Sequence, residues 1–220
     1  VEDIIEECLE SIKWVDEIFI VDAYSTDRTV EICNRYPNVK IVQHEYKNSG
    51  AQRSWGMPQV SHDWVFIIDS DEICNKQLKI EIEKILSKEK INVDGYKVSI
   101  KTKFLGKLQH HDRSLGHLGM RVVRKESYKN YVLNRVHSKL VLKKVDKINN
   151  KKAFLIHEPI TKISSHIWKM IRYAEWAAED MHENGIRARW YHFVFRPMFK
   201  FFIHYFIKLG FLDGMRGLIL

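Results

Sequence analysis

Cysteine is scarce in this chain of 220 residues, which contains only Cys8, Cys33 and Cys74. The number is odd, and no two of the three have the spacing of a zinc finger, so a disulfide framework and a cysteine-based zinc site are both excluded. We therefore expect three reduced thiols in a cytoplasmic protein. Internal repeats and flexible linkers are also missing, which excludes a solenoid and a string of loosely tethered domains.

Long uninterrupted apolar runs are missing as well. The most hydrophobic segment, FRPMFKFFIHYFIKLGFLDG at residues 195–214, is too short and too charged to span a bilayer. Its Arg196, Lys200, His204 and Lys208 recur at four-residue intervals and form a basic stripe on an aromatic helix. Such a helix is typical of a segment in a membrane interface. The alternative is a hydrophobic helix packed on the domain, with its lysine stems along the apolar surface.

Positive charge exceeds negative charge, with 36 Lys and Arg against 28 Asp and Glu and a formal net charge of +8. This balance favours anionic partners such as nucleic acid, phosphorylated small molecules or an anionic membrane. Nucleic acid is the weakest of these, because the basic residues are dispersed and no helix-turn-helix, zinc-finger or aromatic-platform motif is present. We expect no nucleic-acid partner.

Strand and helix patterns alternate in the first ninety residues. The apolar runs EIFIVDA at 17–23, NVKIVQHE at 38–45 and DWVFIID at 63–69 predict strands. Helical spacing follows the first and the third, and SGAQRSWGM after the second predicts a polar loop that leads towards a helix. Unbroken apolar strands that alternate with helices indicate a mostly parallel sheet covered on both faces, so the fold class is α/β. Short alternating strands over 93–159 predict an antiparallel or mixed extension, and helical patterns close the chain.

Three aspartates follow predicted strands. Asp22 ends one strand, and Asp69 and Asp71 end another in WVFIIDSDEIC. Because ligands of parallel α/β sheets bind beyond the carboxyl ends of the strands, we expect these acids to share one crevice. Two aspartates one residue apart can reach a common Mg²⁺ or Mn²⁺ ion, which prefers oxygen ligands and shares them with substrate phosphates. The alternative is a turn in which one of the two caps the following helix.

The strings VDAYSTDRTVEI, AQRSWG and WVFIIDSDE, in this order, resemble the nucleotide-sugar half of glycosyltransferase family 2. The closing helices resemble those of its lipopolysaccharide-core glucosyltransferase branch. The resemblance implies a GT-A fold with a Rossmann-like, mostly parallel sheet, an antiparallel or mixed extension and C-terminal helices. It also implies a catalytic domain over 1–160, a helical and membrane-associating segment over 161–220, and a first strand that would precede Val1.

The resemblance also implies roles for individual residues. Asp71 would be the principal ligand of Mn²⁺ or Mg²⁺, and Asp69 would lie near the ribose and the metal. Asp22 would meet the nucleobase, and Ser25 would cap a helix first and bind substrate second. The residues expected to bind the nucleotide sugar are Asp22, Ser25, Gln52, Arg53 and Asp69. For Arg53, an ordinary surface position is the alternative.

Inverting transfer also needs a base for the acceptor hydroxyl. Here the chain departs from the family pattern, since His117 stands where relatives have an acid, and Ser138 ends VHS where they have VHE. Asp112 is the nearest carboxylate, and His117 carries an imidazole, a group that ordinarily titrates near neutral pH, so both are candidates for the catalytic base. Glu158 in IHEP is a third.

The predicted function is therefore metal-dependent, inverting transfer of a hexose from a nucleotide diphosphate sugar, such as UDP-glucose. The expected acceptor is a glycan or glycolipid such as lipopolysaccharide core, at the cytosolic face of a membrane that residues 187–216 contact. A nucleotidyltransferase is one alternative, although no glycine-rich phosphate loop with Arg or Lys is present. A degenerate nucleotide-sugar-binding module without catalysis is the other, because the acceptor-side acids are replaced.

Overall fold

A computed structural model describes residues 2–104, 106–108, 117–132, 138–160, 163–187 and 189–219. Helices and strands alternate at first, and short strands follow. The elements up to residue 86 are α1 (Glu2–Ile12), β1 (Ile18–Asp22), α2 (Thr29–Cys33), β2 (Val39–Gln43), α3 (Ser49–Gly56), β3 (Trp64–Phe66), β4 (Glu72–Cys74) and α4 (Lys76–Leu86). The later strands are β5 (Gly95–Phe104), β6 (Lys107–Leu108), β7 (His117–Arg124), β8 (Tyr131–Val132), β9 (Lys139–Leu140), β10 (Val145–Lys147) and β11 (Phe154–Ile160). The helices α5 (Ile163–Glu183), α6 (Trp190–Phe202) and α7 (Met215–Ile219) complete the chain.

The chain forms two compact units. The first contains Val1–Ile100 and Leu118–His157, and the second contains Lys101–His117 and Glu158–Leu220. Their bounds describe how the chain is packed and do not by themselves define functional domains. The division into a catalytic domain over 1–160 and a helical segment over 161–220 therefore stays a prediction.

The strands form a parallel pair, a larger mixed sheet and an antiparallel pair made of β8 and β9. β1 and β2 are parallel, with Asp22 opposite Gln43. The larger sheet has the order β3-β7-β5-β11-β4, with β6 and β10 paired to β5. β3 is antiparallel to β7, β4 is antiparallel to β11, and β10 is parallel to β5. The α/β class and the mixed extension expected from the sequence are confirmed, and the segment WVFIID is a shorter strand that turns into a loop after Phe66.

The core of the first unit lies between helices and the mixed sheet. The apolar stripe of α1 buries Ile5, Cys8, Leu9 and Ile12, because these residues fall on one face at helical spacing. The helix α4 buries Leu78 and Ile82 in the same core. Each such side chain removed from water stabilises the fold by about 1.5–3 kcal/mol. This packing fixes the strand ends from which the candidate site is built.

The second unit contains the long helices α5 and α6. Gly185 has a φ of 70° and ends α5 as predicted: its N–H bonds the carbonyl of His182, and the N–H of Ile186 bonds that of Met181, which is a Schellman motif. The sequence predicts Pro197 as the first residue of the next helix, but α6 begins at Trp190 and contains Pro197 in its interior. No helix among the described residues is long and apolar enough to cross a membrane.

Gly56, the last residue of α3, lies close to β1. A Cβ atom at Gly56 would meet Cγ2 of Val21 at 2.7 Å, closer than van der Waals contact allows. We predict that Gly56→Ala lowers the free energy of unfolding by about 1–3 kcal/mol, the usual effect of overpacking. Alanine is favoured over glycine inside a helix by about 1 kcal/mol, so a loss would show that close packing outweighs helix propensity.

Urea denaturation of Gly56→Ala and the parent protein checks this prediction. Ser49→Ala is the matched control, because Ser49 is exposed at the start of the same helix. We expect the control to change stability by no more than about 0.5 kcal/mol. A Gly56→Ala variant as stable as the parent would contradict the close approach of α3 to β1.

Candidate active site

The first part of the site lies where β1 ends, at Asp22. This carboxylate is buried and accepts hydrogen bonds from the Ser25 backbone N–H at 3.0 Å and from the Ser25 hydroxyl at 2.5 Å. The Nε2 of Gln43 donates to it at 3.3 Å. Tyr24, between Asp22 and Ser25, has a left-handed backbone with a φ of 60°, which is costly for a residue with a Cβ. The strand therefore ends in a tight turn that folds Ser25 back onto Asp22.

The contacts of Asp22 keep it ionised. Burial alone would raise the pKa of Asp22, but the hydrogen bonds from Ser25 outweigh burial and hold the pKa below its ordinary value. The sequence predicts Ser25 first as a helix cap. In the structure Ser25 binds Asp22, and Arg28 is the N-cap residue of α2, with no hydrogen bond from a capping side chain. Oδ1 of Asp27 accepts from the N–H of Thr29 at 3.1 Å.

Helix α3 connects this strand end to the rest of the site. Gln52 is buried, its Oε1 lies 2.6 Å from Nδ1 of His44, and its Nε2 donates to the His44 carbonyl at 3.2 Å. The His44 ring stacks on Trp55 with a centroid separation of 4.1 Å. The N–H of His44 donates to the carbonyl of Asp22 at 2.9 Å. Gln52 thus holds His44 beside the end of β1.

Arg53, the next residue on α3, binds Asp69 beyond β3. Its Nη2 donates to Oδ1 of Asp69 at 2.5 Å, and the Nη1 and Nη2 atoms of Arg121 on β7 approach Oδ2 at 3.4 and 3.3 Å. Burial opposes ionisation of Asp69, but the two guanidinium groups outweigh burial and lower its pKa. Both carboxylate oxygens of Asp69 are therefore in contact with cationic side chains.

Glu72 is an acid inside the core, with 1% of its side chain exposed. Its Oε1 accepts from Nη2 of Arg121 at 2.5 Å, and its Oε2 accepts from the backbone N–H of Asp69 at 3.0 Å. Burial raises the pKa of Glu72 to about 7, although Arg121 acts in the opposite direction. The Arg121 side chain is only 8% exposed. One buried guanidinium thus holds two acids on either side of the turn between β3 and β4.

Asp71 has a different partner. Its Oδ2 lies 3.2 Å from Nε2 of His157 on β11. Burial lowers the pKa of His157, but the Asp71 carboxylate outweighs burial and raises it. The two side chains are 24% and 26% exposed, so both can be reached from solvent.

The pair of Asp71 and His157 fits a divalent cation better than Asp69 does. A carboxylate oxygen suits Mg²⁺ or Mn²⁺, an imidazole nitrogen is a common metal ligand, and neither atom is held by an arginine. Across the part of the chain that the structure describes, no group of three or more His, Cys, Asp and Glu side chains could hold a metal ion. A cation bound by this pair would complete its shell with water and substrate phosphates, as Mg²⁺ commonly does.

Three residues are candidates for the catalytic base. Asp112 lies outside the described residues, and His117 begins β7 but its side chain also lies outside them. Glu158 accepts a hydrogen bond from Nζ of Lys103 at 2.7 Å. Glu158 belongs to the second compact unit. The identity of the base stays a prediction. Ser138, in the place of the family acid, lies 3.2 Å from Oδ1 of Asn48.

Sequence patterns did not single out Arg121 or His157, and both contact the predicted acids. A signal for Arg121 is its place in GMRVVRKE, where apolar neighbours predict burial and a buried arginine needs an acidic partner. His157 stands beside Glu158 in IHEP, but its contact with Asp71 spans 86 residues of sequence. No local pattern reveals that pairing.

Comparison with known proteins defines the family. The sequence profile described as Glycosyl transferase family 2 matches residues 1–153. The chain therefore belongs to glycosyl transferase family 2, and the resemblance stated from its motifs is confirmed. The lipopolysaccharide core biosynthesis glycosyltransferase LpsC of Rhizobium meliloti is 24% identical over 94% of this chain and 76% of its own length. An uncharacterised glycosyltransferase of Rickettsia felis is 27% identical over 93% of this chain and 75% of its own length.

Solved structures confirm the fold. The crystal structure of S. aureus TarS 1–349 in complex with UDP-GlcNAc matches with a TM-score of 0.53 at 18% identity, over 71% of this chain and 55% of TarS 1–349. A further TarS crystal structure gives a TM-score of 0.54 at 19% identity, over 71% of this chain and 34% of that one. This chain thus spans about half or less of the TarS structures. At this identity the likeness shows the GT-A fold alone.

Without the Arg121 guanidinium, the buried carboxylate of Glu72 loses its compensating positive charge, and the fold should be less stable. We predict that Arg121→Met lowers the free energy of unfolding at neutral pH by about 3–5 kcal/mol, as when one partner of a buried ion pair is removed. Without Arg121 the folded-state pKa of Glu72 rises further above its ordinary value of 4.5. The variant is then stabilised by protonated Glu72 at low pH and loses that stability as the pH rises above about 4.5.

Urea denaturation at about pH 5 and about pH 8 measures this effect. The matched control is the double variant Glu72→Gln/Arg121→Met, which leaves no charge at position 72. We expect the control to recover part of the stability and to lose the pH dependence that Glu72 causes in the single variant. Equal losses at both pH values in the single variant would show that Arg121 does not compensate the charge of Glu72.

Proposed function

We propose that this chain carries the donor site of a metal-dependent, inverting hexosyltransferase that uses a nucleotide diphosphate sugar. The observation behind the proposal is the set of acids that follow β1 and β3. Asp22 is held by Ser25, Asp69 is held by Arg53 and Arg121, and Asp71 lies beside His157. Family membership and the complexes of TarS with UDP-GlcNAc and UDP support a uridine diphosphate sugar, such as UDP-glucose, as the donor.

In the proposed reaction the acceptor hydroxyl oxygen forms a bond to C1 of the donor sugar. The bond between C1 and the diphosphate oxygen breaks, and the nucleoside diphosphate leaves with the electron pair. The acceptor proton passes to a base, for which Asp112, His117 and Glu158 are the candidates. Because attack comes from the face opposite the leaving group, the configuration at C1 inverts.

The charged side chains of the cluster have separate tasks in this proposal. Asp22 meets the nucleoside, and Ser25 and Gln52 hold the strand ends around it. Arg53 is 28% exposed on its side chain and presents a guanidinium group to the diphosphate, while one of its nitrogens holds Asp69. A fixed positive charge at this place stabilises the charge that develops on the leaving group.

The cofactor in this proposal is Mn²⁺ or Mg²⁺, with Asp71 and His157 as its protein ligands. A bound divalent cation supplies Lewis-acid neutralisation of the diphosphate. Asp69 was predicted as a second ligand, but it would first have to leave one of its two arginines. We therefore assign Asp69 to positioning Arg53 and the ribose side of the site.

The proposed acceptor is a glycan or glycolipid. LpsC, which is similar over most of this chain, is described as a lipopolysaccharide core biosynthesis glycosyltransferase, so an acceptor of the lipopolysaccharide-core type is the one to test first. A glycolipid acceptor is held at a membrane surface. Contact of residues 187–216 with that surface, on the cytosolic face, is part of the proposal.

Binding of Mn²⁺ and of UDP-glucose tests the donor site. We predict that Asp71→Ala and His157→Ala each weaken Mn²⁺ binding at least tenfold in isothermal titration, a common effect of losing one metal ligand or its partner. Both variants should also lose the rise in melting temperature that UDP-glucose with Mn²⁺ gives the parent protein. Asp63→Ala is the matched control, since Asp63 is an exposed carboxylate before β3, and it should behave as the parent does.

The product identifies the reaction. Release of UDP from UDP-glucose in the presence of Mn²⁺ and acceptor, abolished by a chelator, supports glycosyl transfer. Pyrophosphate as the product would instead identify a nucleotidyltransferase. Tight binding of UDP-glucose without transfer to any acceptor would favour a binding module. Unchanged Mn²⁺ binding in Asp71→Ala would overturn the assignment of the cation site.

A further inference from the structure

The helix α6 exposes aromatic side chains on most of its circumference. None of its residues is buried, and Trp190, Phe193 and Phe199 are 72%, 72% and 65% exposed. Exposure continues after the helix at Phe206 and Phe211. A contiguous apolar surface of this size marks a site for a membrane or another macromolecule, because exposing it to water is unfavourable.

The charges along this surface all have one sign. From Gly185 to Leu212 the sequence contains five Lys and Arg residues and neither Asp nor Glu. The cationic positions are Arg187, Arg189, Arg196, Lys200 and Lys208, and His192 and His204 are the two titratable ones. A second copy of this surface would bring cations against cations. A partner with negative charge and an apolar interior fits both properties.

His192, Arg196 and Lys200 form a row along α6, because they recur every fourth residue. In an α-helix four residues exceed one turn by about 40°, so a four-residue stripe drifts around the axis. Val194, Met198 and Phe202 follow two residues after each member of the row, about 200° away, and lie on the opposite side. The helix therefore has one basic row, and the rest of its surface is apolar.

A π-helical turn at Ile203–Ile207 alters this drift. The N–H of Lys208 bonds the carbonyl of Ile203 at 2.8 Å, an i to i−5 hydrogen bond. Continued as an α-helix, the stripe would carry Lys208 about 160° around from His192. Because a π turn holds more residues per turn, four residues in it fall short of one full turn. This shortfall offsets the drift along α6 and leaves Lys208 near the angular position of Lys200.

We propose that residues 189–212 bind the surface of an anionic bilayer, with the row of His192, Arg196, Lys200 and Lys208 at the lipid phosphates. The aromatic side chains enter the boundary between headgroups and acyl chains, and the π turn at Ile203–Ile207 keeps Lys208 in the row. This rests on the membrane contact included in the proposed function and deepens it, since it names the headgroup charge and the residues that recognise it. It does not depend on the donor site.

Sedimentation with vesicles tests this inference on the whole chain. The probes are vesicles of phosphatidylcholine alone and of phosphatidylcholine mixed with phosphatidylglycerol. We expect the parent protein to bind only the anionic vesicles strongly, and to bind them less at about 0.5 M salt than at about 0.1 M, since salt screens the headgroup charge. Arg196→Gln/Lys200→Gln should weaken this binding by tenfold or more, at roughly fivefold for each charge near an anionic surface.

Two further variants separate charge from apolar contact and test the π turn. Met198→Ser/Phe202→Ser should weaken binding at both salt concentrations, because it removes apolar contact and leaves the charge unchanged. Lys208→Gln should also weaken binding to the anionic vesicles. The matched control is Lys84→Gln/Lys88→Gln, which removes the same charge from exposed positions in and just after α4 of the first unit and should bind as the parent does.

Several outcomes would overturn the inference. One is equal binding to neutral and anionic vesicles, and another is unchanged binding of Arg196→Gln/Lys200→Gln. A dimer in light scattering without lipid, lost in Met198→Ser/Phe202→Ser, would identify a second copy as the occupant. If Lys208→Gln binds anionic vesicles as strongly as the parent does, the role proposed for the π turn is contradicted. The rise in melting temperature with UDP-glucose is measured in every variant of the basic row. If the rise persists, the donor site is intact, and a loss of vesicle binding concerns the membrane surface alone.

Discussion

The buried guanidinium group of Arg121 is the interaction on which the candidate site depends. It touches Asp69 and Glu72 at once, and both are acids that would repel each other at the end of an apolar strand. Moving a carboxylate out of water costs several kcal/mol unless a positive group compensates it. Arg121 supplies that charge from β7, the antiparallel neighbour of β3, so the pairing of the two strands and the electrostatics of the turn stabilise each other.

This arrangement separates the two aspartates that the sequence places side by side. Asp69 is held from both sides by arginines, so its position is fixed and its charge is neutralised within the protein. Asp71 points to His157, and both side chains remain within reach of solvent. The difference between them is electrostatic, because an acid already neutralised by two cations gains little from a third. It explains why Asp71, with His157, is the better candidate for a metal ion.

The second unit follows the opposite rule. Its helices expose aromatic side chains where the first unit buries aliphatic ones, and α6 has no buried residue. A single helix that is apolar on most sides is not stable in water by itself, because its apolar side chains stay exposed to solvent. Its basic row gives this surface a positive charge, which is complementary to the anionic bilayer proposed as its partner. The first unit therefore buries charged side chains, Arg121 and Glu72, in its interior. The second unit carries the charged side chains of the basic row on its surface.

The sequence by itself determined the features that depend on neighbouring residues. These are the alternation of strands and helices, the three family motifs, the acids Asp22, Asp69 and Asp71, and the glycine that ends α5. Tertiary structure alone decided the contacts of Arg121 with Glu72, 49 residues away, and of His157 with Asp71, 86 residues away. Helix caps and hydrophobic periodicity act over a few residues, whereas these contacts depend on which strands pair and in which register.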